Sequence, residues 1–143
     1  MTQLSEHFSL EELTVTMHRE YDNTPNKDQI NNLTRVAQLL EQVKALLGGK
    51  PVMVNSGYRS PQVNLAVGSK PTSQHCLGCA ADIRVPGMTP DEVVQAIKAS
   101  DIPYDQLIRE FDSWTHISVP NLANGEPRKQ ALIIDKQGTR SYA

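Results

Sequence analysis

The sequence predicts an α+β fold, an antiparallel sheet with flanking helices, and three observations lead there. Residues 26–47 carry Leu and Val at the 3.6-residue helical period, closed by Gly48-Gly49. Short runs rich in Ile, Leu, Val and aromatic residues come in pairs joined by tight turns. Examples are 104–110 with 114–119, and 130–135 with 139–142. The helical patterns precede or interrupt these strands instead of alternating regularly with them, which is the order of an α+β chain.

The first element is a helix start at Phe8-Ser9-Leu10-Glu11-Glu12-Leu13. Ser9 and Glu12 have capping-box spacing, and Phe8 can staple onto Leu13. His18 follows as a surface histidine. After the linker Tyr21–Pro25, Thr24 or Asn26 caps a long helix running to about Leu47. Ile30, Leu33, Ala37, Leu40 and Lys44 share one face, with Val36, Leu39, Val43 and Leu47 alongside, and the Leu/Val stripe reads as core. A strand at 51–55 delivers the chain to Ser56-Gly57-Tyr58-Arg59-Ser60-Pro61, and 62–67 form a short helix. Gly68–Thr72 is a loop, and Asp82 opens a short apolar strand containing Ile83 and Val85. Thr89, Pro90 and Glu92 start another helix by capping box and N1 proline, ending near Ser100. Strands 104–110 and 114–119 flank a turn at Phe111–Ser113. A polar loop at Asn121–Pro127 precedes the closing hairpin, which turns across Lys136-Gln137-Gly138.

At 143 residues the chain reads as one domain, 1–143, long enough for a substantial core. With 14 basic against 16 acidic residues and a formal charge of −2, no basic stretch offers itself to a phosphate backbone, so nucleic acid is not expected as a partner. No apolar run approaches the roughly 20 residues of a membrane helix. A monomer without membrane insertion is expected. The first residues lack a basic segment followed by an apolar core, so no secretory signal is expected either.

The chemistry concentrates in Ser73-Gln74-His75-Cys76-Leu77-Gly78-Cys79-Ala80-Ala81-Asp82, read with Glu110 and Trp114-Thr115-His116. His75, Asp82 and His116 offer two imidazole nitrogens and a carboxylate oxygen, a set that suits zinc and leaves one coordination position open. Glu110 could face that position as a general base. Taken singly, such residues are more often surface groups or satisfied core groups. Trp114 shapes a cleft wall or simply packs. Ser73 lies two residues from a candidate ligand, where it hydrogen-bonds either in support or to substrate. Arg59, from its position alone, is a structural ion-pair partner as readily as a carboxylate fork. The chain's two cysteines, Cys76 and Cys79, form a Cys-x-x-Cys with no second pair. They read as small, part-buried free thiols, with a redox pair or sulfur metal site as the alternative.

Ser73-x-His75-x-x-Gly78-x-Ala80-x-Asp82, Glu110 and Trp114-x-His116, with the upstream Ser56–Pro61 and Asn64, resemble the signature of the zinc D-Ala-D-Ala carboxypeptidase family. The resemblance spans about Phe8 to Val119. It implies a fold related to the hedgehog and lysostaphin-type domains and zinc as cofactor, bound by His75, Asp82 and His116. It also implies Glu110 as base and Arg59 as a contact to substrate or the developing oxyanion. The implied substrate is a peptidoglycan peptide, and the implied reaction is hydrolysis at D-amino acids by an endopeptidase or a carboxypeptidase. Without a signal segment, a phage lysis or virion-associated enzyme is the first expectation, made in the cytoplasm and acting on the wall after release. A bacterial wall-metabolism carboxypeptidase is the second, and a catalytically silent zinc-stabilised binding or virion module the third.

Overall fold

The computed structural model describes residues 2–142. Its frame is one six-stranded sheet with the helices of residues 27–46 and 90–98 packed on one face. In chain order the elements are α1 (Lys27–Leu46), β1 (Met53–Ser56), α2 (Pro61–Ala66), β2 (Ala80–Arg84), α3 (Pro90–Lys98), β3 (Gln106–Glu110), β4 (Trp114–Ser118), β5 (Gln130–Asp135) and β6 (Gly138–Ser141). Two 3₁₀ turns, Glu12–Thr14 and Gln74–Leu77, complete them. The strand order is β1-β2-β4-β3-β5-β6. Every neighbouring pair is antiparallel except β3 with β5, which is parallel. No helix among the described residues is long and apolar enough to cross a membrane.

Alternation along the strands separates two faces. Ala81 and Ile83 of β2, Leu107 of β3 and Ile117 of β4 are fully buried against α1 and α3. The intervening residues face the other way and are matched across the sheet by register. Ser56 pairs with Asp82, Asp82 with His116, His116 with Ile108, and Ile108 with Leu132. One row of side chains therefore crosses five strands on the face that no helix covers. Next to it lies a second row, in which Trp114 pairs with Glu110 and Glu110 with Ile134.

The long helix α1 starts at Asn26, with reciprocal capping bonds between Asn26 and Gln29. The same device starts α3 through Thr89 and Glu92. The N-terminal helix predicted at Phe8–Leu13 is only a 3₁₀ turn, although Ser9 and Glu12 do bond reciprocally and Phe8 and Leu13 are buried. It stops where Val15 turns to extended backbone, and the Leu13 carbonyl accepts instead from the Tyr58 amide at 2.8 Å. Asp82 sits in the middle of β2 instead of opening it. The β3–β4 connection holds Phe111 and Asp112 at φ 52° and 50°, with Ser113 N bonded to Glu110 O at 3.0 Å. Asn and Gly favour such left-handed turn positions, whereas Phe gives no signal for them.

Asp105 ties the C-terminal strands to the rest. Its buried carboxylate accepts from Arg128 Nη2 at 2.6 Å, from the Arg128 amide at 3.0 Å and from Gln74 Nε2 at 3.1 Å. The Asp105 carbonyl accepts from Gln130 N, which sets the start of β5 beside β3. Burial works to raise the Asp105 carboxyl, but the Arg128 bonds outweigh it and hold the group below its ordinary range. A carboxyl with a depressed native pKa adds stability above its unfolded value of about 4 and loses it as pH falls through the native value. Arg128→Ala should therefore cost about 1–3 kcal/mol at neutral pH, as expected when a buried acceptor loses its partners. In urea unfolding the gap from wild type should shrink as pH approaches 3. An undiminished gap there would contradict the assignment.

Candidate functional site

His75, Asp82 and His116 come together at the uncovered face. One donor atom from each lies within 4.8 Å of the others, and all three residues are buried. Asp82 and His116 are register partners on adjacent strands, so the sheet itself sets their separation. His75 arrives on the Gln74–Leu77 turn. The Ser73 hydroxyl accepts from His75 N at 3.2 Å at the start of that turn, and Gly78 ends it at φ 75°. A Cβ on Gly78 would lie 2.6 Å from the Gln29 carbonyl oxygen, so φ and space both require glycine there.

The protonation of His75 follows from its partners. His75 Nδ1 lies 2.7 Å from the Gly57 carbonyl oxygen, which can only accept, so Nδ1 carries the proton. Nε2 then presents a lone pair. It is buried without a hydrogen-bond partner, and it lies 3.3 Å from Asp82 Oδ1. Burial, the largest influence, holds the His75 pKa below its ordinary value despite the pull of Asp82, which keeps the imidazole neutral. Burial also works to raise the Asp82 carboxyl, and what lowers it is positive charge beside it, first that of His75 when the ring is protonated. With His75 neutral, the carboxylate therefore calls for another cation in the same place. His116 Nδ1 is 3.0 Å from the same Asp82 oxygen. A neutral nitrogen lone pair facing an ionised carboxylate is repulsive on its own. It becomes favourable when a divalent cation lies between them, so the donor set fits zinc.

Arg59 and Glu110 face the same cleft, of about 630 Å³, whose lining also includes Ser56, Ser73, Phe111 and Trp114. Arg59 Nη2 stands 3.5 Å from Asp82 Oδ2, while Nε donates to Ser56 Oγ and Nη1 to Asn64 Oδ1. The guanidinium thus joins an ion pair, the structural reading of Arg59, and also lines the cleft. Glu110 Oε1 lies 3.9 Å from His116 Nδ1. Its pKa is raised, first by burial and then by the Asp82 charge, with His116 and Arg59 opposing. Trp114 is half-buried, with its ring 6.1 Å from that of Phe111. Its indole nitrogen, close to Glu110, is buried without an acceptor in hydrogen-bond geometry.

Cys76 and Cys79 are free thiols, half-buried and buried, and neither belongs to the three-residue cluster. Burial raises both of their pKa values. His18 pairs weakly with Glu20 at 3.5 Å, away from the cleft.

Sequence reasoning missed two participants. Phe111 lines the cleft from a strained turn that its residue type does not announce. Gly57 supplies the carbonyl that orients His75, and it lies where a Cβ would meet the Leu13 carbonyl oxygen at 2.2 Å. The Ser-Gly-Tyr-Arg run was the available signal, but the close approach of Leu13 was not. Gly57→Ala should push the 56–59 segment away from Leu13 and lower affinity for zinc by about 10–100-fold, the range for loss of an orienting bond to a histidine ligand. Gly87→Ala, at φ 86° with nothing within 4 Å, should lose stability alone. Competition with a chelator measures both variants, and equal zinc affinities would contradict the orienting role.

Comparison with known proteins adds one match. The sequence model of Peptidase M15 matches residues 6–118, which include Arg59, His75, Asp82, Glu110, Trp114 and His116 and end before β5. No curated protein matches the chain. Peptidases of this family are zinc-dependent metallopeptidases, and the donor set described above is one that can hold such a metal. The chain belongs to the Peptidase M15 family, of the zinc D-Ala-D-Ala carboxypeptidase type.

Proposed function

We propose that this protein is a zinc-dependent endopeptidase that cuts within peptidoglycan stem peptides. The observation that carries the reading is the convergence of the three donor atoms and the Glu110 carboxyl on one open cleft. In this reading His75, Asp82 and His116 hold the metal. Bound there, zinc supplies Lewis acidity toward a carbonyl oxygen and lowers the pKa of water at the site toward about 7.

The chain's own residues do the rest. Glu110 removes a proton from the attacking water as its oxygen bonds to the carbonyl carbon. It delivers that proton to the amine nitrogen as the C–N bond breaks. A carboxyl raised by burial is better matched to this two-way transfer than an ordinary one, because it holds the proton more readily between the two steps. Arg59, fixed by Ser56 and Asn64, presents positive charge for the carbonyl oxygen as it becomes anionic. Ser73 supports the turn that carries His75. Trp114 and Phe111 form an aromatic wall for the substrate's side chains.

Cleavage inside a chain needs a cleft open at both ends. The loops 68–72 and 121–127 are short, and the cleft continues past Ser73 and His116 into further concave surface. A carboxypeptidase would instead close one end around a terminal carboxylate. A silent zinc-stabilised module is disfavoured, because it has no use for a half-buried carboxyl of raised pKa facing the cleft.

Purified protein offered intact peptidoglycan and a free pentapeptide ending in D-Ala-D-Ala should produce new termini inside the stem peptides. Release of D-Ala alone would assign a carboxypeptidase instead. Glu110→Gln should keep one equivalent of zinc while losing about 10²–10⁴-fold in turnover, the usual size of a general-base contribution. A variant within a few-fold of wild type would remove Glu110 from the chemistry.

A further inference from the structure

The row of side chains that begins with Asp82 and His116 continues over Ile108 to Leu132, and a second concavity of about 490 Å³ follows it. Ile108, Leu132 and Ile134 give it an apolar floor, and Lys70 and Arg128 line it as cations. It shares Ser69, Ser73 and His116 with the first cleft, so the two form one continuous groove passing the candidate metal centre. No carboxylate is among the residues lining this second half. That is notable in a chain whose net charge is −2. Arg128 is held in place by Asp105. Lys70 makes no side-chain hydrogen bond or ion pair among the described residues, although its carbonyl is anchored by Asn64 Nδ2 at 2.9 Å. A free ammonium thus sits at the rim on a fixed backbone.

Part of this half of the groove lies outside the family-matched residues. Leu132, Ile134 and Arg128 come from the segment after residue 118, outside the stretch that matches the family. The parallel pairing of β5 with β3 brings them beside the strands carrying Glu110 and His116.

Resting on the endopeptidase reading above, we propose that this groove is a substrate-binding subsite for a peptide segment bearing a free carboxylate, which Lys70 and Arg128 recognise over the apolar floor. The peptide continues from the bond being cut, across His116, along the row of Ile108 and Leu132. An acidic peptide gains a charge-assisted contact there that a neutral one lacks. Specificity for carboxylate-bearing stem peptides then comes from Lys70 on the 68–72 loop, together with Arg128 and the apolar side chains of β3 and β5.

The test uses a cross-linked stem peptide and the same compound with its free carboxylates amidated, with wild type and Lys70→Glu. Lys70→Glu leaves the cluster and Glu110 untouched, and it removes no native contact. It should raise KM for the acidic peptide by about tenfold or more while kcat stays within about twofold, the pattern of lost binding distributed equally over ground and transition states. For the amidated peptide KM should be unchanged or lower. Equal effects on both peptides, or no effect on either, would overturn the subsite while leaving the peptidase reading intact. Failure of wild type to cut either peptide would overturn both.

Discussion

The candidate site depends on a single buried hydrogen bond, His75 Nδ1–H to the Gly57 carbonyl at 2.7 Å. It settles the tautomer of a buried imidazole and turns Nε2 toward Asp82. The bond exists only because Gly57 has no side chain to strike the Leu13 carbonyl, which accepts from Tyr58. Arg59 N in turn bonds the His75 carbonyl at 3.0 Å. The loop bearing the candidate cationic group and the turn bearing the candidate ligand are therefore locked to each other from both sides.

The electrostatics of the uncovered sheet face follow from that lock. Two carboxyls, the buried Asp82 and the half-buried Glu110, line one cleft but are driven in opposite directions. Asp82 is held ionised between two imidazoles and beside Arg59, whereas Glu110 is raised by burial and by the Asp82 charge. Separating two carboxyls in this way is the usual means of giving one a binding role and the other a proton-transfer role. Such a cluster of buried polar groups opposes folding, since each charge loses its hydration. The opposite face of the sheet compensates with an apolar core running from Leu33 through Ile83 to Ile117.

Much of this was legible in the sequence, for physical reasons that differ by element. α1 and α3 announced themselves through capping boxes and periodicity, both local signals. The strands holding Asp82 and His116 were readable from alternation, and the closing hairpin from Gly138. Donor chemistry and the motif resemblance brought the candidate ligands, Arg59 and Glu110 into view. What could not be read depends on contacts between distant segments. The bond from Tyr58 to the Leu13 carbonyl, the parallel pairing of β5 with β3, and the groove that this pairing opens over Ile108 all arise only in three dimensions. Phe111 at a left-handed position goes against the preference of its residue type, so no local rule finds it.

We propose that the uncovered face binds zinc through the imidazoles of His75 and His116 and the Asp82 carboxylate, with the Cys76 and Cys79 sulfurs excluded. X-ray absorption at the zinc edge of the stoichiometrically loaded protein tests it most directly. The account predicts a first shell of nitrogen and oxygen alone at about 2.0–2.2 Å, with outer-shell scattering from two imidazoles. A sulfur shell at about 2.3 Å would place the metal at the cysteines and contradict the account.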